Sequence, residues 1–417
     1  MHLISSAIAN IALFTVVYVE VFYLVTFFEK RGSLQFRTGP FNLESYPTIT
    51  VVVPCLNEEN TIAGTAQSLL NLEYPKDKIK IILVDDGSTD TTWEVMKQFK
   101  DESNIELVHN EKNGGGKHVP LNIGLAKAHS EFFACLDADS YVQKDTLIRL
   151  LSYFEEHPTC MAVAPSVITI PPMRLVERAQ NAEYAISVYL KKMAGLVGGI
   201  HVLPGPFSMF RRKVFTELGE YRHGYGTEDM EIAFRMQQNY YSIDHCPDAV
   251  VYTKTPNTIK KLYKQRIRWI YGFMQLAIEY RRMIFRKKYG NFALFTLPAG
   301  IVSIIAAVYL FLYLFYNIAS YIVHKIYLWK VVGLPTTIFS KSSFDWFYIN
   351  TESIMFLTII LYLLILFAMI IGKKLSAGKA GFSVNIILYF IIYSLVAPFW
   401  VMKAFFNTVL MKKTKWR

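Results

Sequence analysis

Hydrophobic positions fall in two patterns along this chain. Over residues 4–28, 292–316, 354–371 and 382–411 they run almost unbroken. A hydrocarbon layer takes about 20 apolar residues in a helix, so these stretches predict membrane segments. Between the first and second stretches the apolar residues come in short bursts, separated by polar turns. That rhythm belongs to a folded domain exposed to water.

The bursts can be read in order. TITVVVP, residues 48–54, is β-branched and apolar and predicts a buried strand. Residues 57–70 read as a loop entering a helix. A second strand at residues 80–84 runs into the acidic turn DDGSTD, and the helix after it carries Trp93, Val95, Met96 and Phe99. A third strand covers residues 105–109. After NGGGK a helix runs to about residue 127, and a fourth strand at 132–136 ends in DADS. Strand and helix alternating at this spacing predict a parallel α/β sheet with helices on both faces. Open sheets of that kind bind ligands beyond their strand C-termini, where the two acidic turns fall. Further on, residues 174–196 predict an amphipathic helix, VLPGPFSMFRR a turn and a strand, and residues 227–238 a helix.

The flanks set the topology. Glu29, Lys30 and Arg31 follow the first apolar stretch, which lacks the preceding charge and cleavage site of a signal peptide. By the positive-inside rule the region after it is cytoplasmic. Residues 257–288 are basic, with Tyr263, Trp269, Tyr271 and Phe273 interleaved, as expected of helices at a membrane surface. The polar stretch 317–352 would lie outside, and Lys373, Lys374 and Lys379 mark a cytoplasmic turn. One full crossing by residues 382–411 would leave Lys412, Lys413, Lys415 and Arg417 outside. A re-entrant or interfacial hairpin bending near Pro398 would keep them inside, which the charge rule favours. The expected divisions are therefore 1–32 (a transmembrane helix and basic flank), 33–256 (a cytosolic domain), 257–290 (interface helices) and 291–417 (the membrane region).

Composition agrees with a membrane protein. Hydrophobic residues make up 53% and charged residues 18%. The net charge of +11 gathers near the apolar segments, so flanking charge accounts for it and no nucleic-acid partner is expected. Cys55, Cys135, Cys160 and Cys246 lack the short spacing of a zinc site and read as reduced core residues.

Candidate chemistry sits in the turns. Asp137 and Asp139 follow a strand end and can share Mg2+ or Mn2+, whose other ligands would be diphosphate oxygens. Asp85 and Asp86 end another strand, as acceptors for a base or ribose or as helix-start acids. Asn57 and Glu58 could reach the same nucleotide or cap a helix. Gly114, Gly115, Gly116 and Lys117 form a loop with a cation that could approach a phosphate. Glu228 and Asp229 open a helix, where acids complement the dipole; a general base is the functional alternative. In QRIRW, Gln265, Arg268 and Trp269 fall within about 1.3 helical turns. Arg268 can stabilise charge on a leaving diphosphate, and Trp269 offers a flat face for a sugar ring. Arg266 reads as a membrane-surface residue.

Taken in order, PCLNEE, DDGS, GGGK, DAD, GPFSMFRR, TED and QRIRW, over residues 48–269, resemble membrane-embedded family 2 glycosyltransferases. That group includes synthases of poly-N-acetylglucosamine, hyaluronan, chitin and cellulose. The resemblance implies a GT-A fold lodged between an N-terminal transmembrane helix and a C-terminal membrane region. It also implies a nucleotide-sugar donor, usually a UDP-sugar. On that pattern Asn57, Glu58, Asp86 and Asp137 would hold the nucleotide, with Lys117 nearby. Asp139 would be the principal metal ligand, with Asp137 beside it, and Asp229 the catalytic base next to Glu228. Gln265 and Arg268 would sit at the diphosphate, Trp269 under the acceptor sugar, and Gly205, Pro206 and Phe207 along the acceptor terminus. The expected protein is a multi-pass enzyme of the cell membrane with a cytoplasmic catalytic domain. It would extend a β-linked polysaccharide with inversion and pass it through the membrane. Transfer of one sugar to a lipid is the alternative, and a non-catalytic nucleotide-sugar-binding protein a third.

Overall fold

The apolar N-terminal stretch folds as one helix, α1 (His2–Lys30), ending at the basic flank. In the computed structural model the described residues are 2–34, 37, 41, 43–172, 174–333, 353–378 and 380–411. Four strands and four helices then alternate: β1 (Ile49–Cys55), α2 (Ile62–Leu70), β2 (Ile79–Asp86), α3 (Thr92–Met96), β3 (Ile105–Asn110), α4 (His118–Ala126), β4 (Phe132–Cys135), and, after the short strand β5 (Ser140–Val142), α5 (Thr146–Glu156). The second half of the domain comprises β6 (Cys160–Thr169), α6 (Leu175–Leu196), β7 (Met209–Arg211), α7 (Lys213–Leu218), α8 (Glu228–Gln238) and β8 (Ser242–Thr253). The long helix α9 (Ile259–Glu279) leads to three membrane helices, α10 (Leu297–Val332), α11 (Ser353–Ala377) and α12 (Val384–Val409).

The strands form one sheet in the order β3-β2-β1-β4-β7-β6-β8-β5. From β3 to β4 it is parallel, as the alternation of elements predicts. Beyond β4 it is mixed: β7 runs antiparallel to both β4 and β6, and β5 antiparallel to β8. The four strands whose alternation with helices predicts a parallel sheet are the parallel ones, and the mixed part is contributed by the strands that follow them. Successive residues of a strand face opposite sides, so both faces carry a core. Val51, Val53, Ile81 and Leu83 pack with α2 and α5, while Val52, Ile82 and Val84 pack with α4 and α8. All four cysteines are free and buried.

Among the described residues, four helices are long and apolar enough to cross a membrane: Ser5–Lys30, Phe292–Val332, Ser353–Ala377 and Val384–Val409. The second opens with a π-helical turn, Phe292–Thr296, and continues past residue 316, so the start of the polar stretch expected outside is helical to Val332. Residues 334–352, Lys379 and the basic tail at 412–417 lie outside the described residues. α12 is continuous through Pro398, and a hairpin bending there does not form. A helix-interior proline removes one ladder bond and leaves the rest, whereas a reversal in hydrocarbon would strip several backbone groups of partners.

The domain is fastened to these helices through α6. Its buried Tyr189 and Met193 pack with Tyr23 of α1 and Ala368 of α11. The contact with α11 is backbone to backbone: a Cβ on Gly372 would meet the Ala185 carbonyl, whose carbon is 2.8 Å away. Gly372→Ala is therefore expected to push the two helices apart at a cost of about 1–3 kcal/mol. A lower unfolding midpoint in detergent checks this; an unchanged one contradicts the packing described.

Candidate functional site

A cleft of about 1280 Å³ opens at the C-terminal ends of β1, β2 and β4 and extends to α6 and α9. Its wall includes Glu58, Asp86, Lys117, Asp137, Asp139, Gly205, Pro206, Glu228, Asp229, Gln265, Arg268 and Trp269. Segments up to about 200 residues apart in sequence thus meet in one cavity, where the polar turns predicted it.

Each carboxylate is held by its local backbone. In β2 the alternation sends Asp85 to His109, at 2.8 Å, and Asp86 to the cleft. Asp86 accepts hydrogen bonds from Asn110 Nδ2 (2.9 Å) and the Gly114 amide (3.1 Å), so the glycine loop closes over it. Burial is the main reason its carboxyl is raised above the usual range. Asp137 and Asp139 leave β4 through a turn in which Ser140 N donates to Asp137 O, at 3.0 Å. Thr65 Oγ1 donates to the Ala138 carbonyl between them, at 2.9 Å. Burial, then the charges of Asp137 and Glu58, push Asp139 up to about 7.

Lys117 is the internal cation of this cluster. Its Nζ pairs with Asp137 Oδ1 and lies 3.6 Å from Glu228 Oε1, joining the end of β4 to the start of α8. Burial alone would lower its pKa, but Asp137 and then Glu228 outweigh burial and hold it raised. Gly205 lies against this ion pair: a Cβ there would be 2.6 Å from Asp137 Oδ1 and would touch Lys117 Nζ. Gly205 lines the cleft, and its lack of a side chain leaves room there for the Lys117–Asp137 pair.

Asp229 is pushed up to about 6 by burial and then by Glu228, with Lys117 and Arg268 pulling it down. The TED turn is pressed onto α9, where a Cβ at Gly272 would lie 2.6 Å from Thr227 Cγ2. A glycine inside a helix is unfavourable by roughly 1 kcal/mol relative to alanine, so this close approach is its physical role. Arg268 Nε has no hydrogen-bond partner among the described residues, and its charge faces the cleft near Asp229.

Three expected positions are placed differently. Asn57 does not line the cleft: at φ 55° its backbone amide donates to Ser88 Oγ (2.9 Å) and its Oδ1 accepts from Thr89 N (2.8 Å). It fastens the β1 turn to the DDGSTD turn, and Glu58 is the neighbour that reaches the cavity. Phe207 is fully buried in the core, with φ 60° and its amide bonded to Cys135 O at 2.7 Å, so it supports Gly205 and Pro206 from behind. Arg266 is not at the membrane surface. It is 4% exposed, paired with Glu183, and lies 4.1 Å from the Trp269 ring centroid. Arg266 shares the cleft wall with Gln265, Arg268 and Trp269, one helical turn before Trp269, and its guanidinium reaches across to Glu183 of α6.

Sequence reasoning missed the contribution of α6. Glu183, Ser187 and Lys191 line the cleft, as do Tyr184 and, beyond the helix, His201. The signal was available: Glu183, Ser187 and Lys191 recur every four residues, one stripe of a helix. Burial lowers Lys191 to about 8, opposed by Asp229; burial and then Lys191 lower His201 to about 4.

The sequence pattern of the family described as "Glycosyl transferase family 2" matches residues 50–219. Residues 50–219, the first seven strands of the sheet domain, thus match a family 2 glycosyltransferase domain. This glycosyltransferase is 28% identical over 284 residues to poly-β-1,6-N-acetyl-D-glucosamine synthase of Staphylococcus epidermidis, covering 65% of this chain and 67% of that one. Against the synthase of the same name from Staphylococcus aureus (strain MSSA476) it is 27% identical over 276 residues, covering 65% and 66%. The chain thus spans about two thirds of the length of these relatives. In fold it is similar to the mannosyltransferase PcManGT from Pyrobaculum calidifontis, solved with GDP-Man and Mn2+. That likeness has a TM-score of 0.64 at 18% identity and covers 98% of this chain and 99% of the other. The domain has the GT-A fold that the resemblance implied, and the membrane helices flank it as expected.

No group of three or more His, Cys, Asp or Glu stands ready as a metal cage among the described residues. The donor set fits a different kind of site. Two hard carboxylates, Asp137 and Asp139, repel one another in a cleft; Mg2+ or Mn2+ binds through one or two such groups and completes its shell with phosphate oxygens and water.

Gly205→Ala is expected to displace the Lys117–Asp137 pair while leaving the fold intact. A displacement of about 1 Å at a reacting centre costs about a hundredfold in turnover. Steady-state transfer by the folded variant measures this, and full activity would show that the pair is dispensable.

Proposed function

We propose that this enzyme transfers sugar from a UDP-sugar to the end of a growing β-linked polysaccharide at the cytoplasmic face of the cell membrane. The observation that carries the reading is the meeting of Asp86, Asp137, Asp139, Asp229, Arg268 and Trp269 in one cleft beside the membrane helices. The relatives named as poly-β-1,6-N-acetyl-D-glucosamine synthases support a polymer of N-acetylhexosamine.

In this reading Asp86 and Glu58 hold the nucleoside, and Asp137 and Asp139 would hold Mg2+ or Mn2+, which when bound offsets diphosphate charge. The acceptor sugar lies on Trp269. Asp229 takes the proton of its attacking hydroxyl, the new bond forms at the anomeric carbon, and the bond to the diphosphate breaks with its electron pair leaving on UDP. Arg268 stabilises the leaving charge. A single in-line displacement inverts the anomeric centre, turning an α-linked donor into a β-linkage. The position of Arg268 in the cleft wall, with its charge acting on Asp229, supports the role given to that residue.

The raised Asp229 carboxyl has a kinetic consequence. A base must be deprotonated, so transfer should rise with pH through about 6 and fall about tenfold per unit below it. Asp229→Asn should lower turnover by about 10²–10⁴-fold, abolish that acid limb and spare UDP-sugar binding. A variant retaining near-normal polymerisation would remove Asp229 from the role.

Purified full-length protein screened with radiolabelled UDP-sugars, with sizing of the product, tests the whole reading. High polymer from UDP-N-acetylglucosamine is expected. Short lipid-linked products alone would replace it with single-sugar transfer to a membrane lipid.

A further inference from the structure

The buried Arg266 is unexplained by the transfer chemistry, yet it touches two residues of the site. Its guanidinium lies 4.1 Å from the Trp269 ring centroid, and its Nη1 donates to Gln265 Oε1 at 3.2 Å. With Oε1 engaged, Gln265 is left to present its amide NH2 group. Arg266 is itself gripped from the other side: Nη2 donates to Glu183 Oε2, on α6. The same carboxylate oxygen accepts from the Tyr393 hydroxyl of α12 at 2.5 Å. Glu183 therefore joins the helix α6, the motif helix α9 and the last membrane helix α12 at one atom. Tyr393 in turn packs edge-on to Trp400 at 5.4 Å, within the apolar contact between α9 and α12.

Charge makes this arrangement specific. A guanidinium held over an indole face is attracted by the ring's negative face, and the attraction strengthens where water is excluded. The plane of Trp269 is then set by where Arg266 sits, and Arg266 sits where Glu183 holds it. We infer that Glu183 is a positioning residue for the acceptor, orienting Trp269 and Gln265 through Arg266 and tying that orientation to α12 through Tyr393. This rests on the reading of Trp269 as the platform for the acceptor sugar. Glu183 touches no reacting atom in this scheme; its effect falls on how the acceptor is held.

The test uses full-length enzyme in nanodiscs, with UDP-N-acetylglucosamine as donor and a short β-linked N-acetylglucosamine oligosaccharide as acceptor. Glu183→Gln keeps size and a hydrogen-bonding oxygen but loses the charge. It is expected to raise acceptor KM about tenfold, while donor KM and acceptor-independent hydrolysis of the donor stay within about twofold. Arg266→Lys, which keeps charge but loses the planar stack, should give the same split, and Glu183→Asp should restore part of the loss. If the Glu183 variants fail to fold, Arg266→Lys and Tyr393→Phe carry the test by the same split. Loss of transfer and donor hydrolysis in proportion, or an unchanged acceptor KM, overturns the inference. Trp269→Ala separates the two claims. If it raises acceptor KM and Glu183→Gln does not, the positioning role fails alone; if Trp269→Ala leaves acceptor KM unchanged, the platform itself is wrong and the inference falls with it.

Discussion

The ion pairing of Lys117 is the contact on which the rest of the site depends. Asp137 and Glu228 come from opposite halves of the sheet domain, and both line the same cleft. Like charges brought together there repel one another. Lys117 sits between them and makes their approach favourable. The absence of a side chain at Gly205 leaves room for that cation. The neighbouring carboxyls remain raised despite it, Asp139 through burial and the charges of Asp137 and Glu58, Asp229 through burial and Glu228. The cleft thus holds two raised carboxyls, one at the end of β4 and one at the start of α8.

A second set of contacts joins this chemistry to the membrane helices. Gly272 lets the TED turn rest directly on α9, and Gly372 lets α11 meet α6 backbone to backbone. Arg266 and Glu183 then tie α9 to α6 and α12. Small residues give closeness and the buried charges give register. No large rigid-body separation of domain and bundle is compatible with all of them in place.

Much of this was legible in the chain. The strands at 48–54, 80–84, 105–109 and 132–136 were written in β-branched runs, and the acidic turns after them in sequence order. Glu58, Asp86, Lys117, Asp137, Asp139, Glu228, Asp229, Gln265, Arg268 and Trp269 do reach one cleft. The misreadings share a physical origin. Arg266 looked like a surface anchor because a single charge in a basic run carries no sign of its partner, and Glu183 lies 83 positions away. Asn57 and Phe207 adopt left-handed backbone, which redirects a side chain in a way that no period of two or 3.6 foretells.

The Gly372–Ala185 contact has a mechanical meaning as well. Backbone atoms pressed together cannot be compressed further, but they permit rotation, so the crossing acts as a fulcrum for α6. At 1.5 Å per residue, Glu183 is about 3 Å from that fulcrum and Lys191 about 9 Å. Rocking of α6 about that point would displace Lys191 about three times as far as the Glu183 junction.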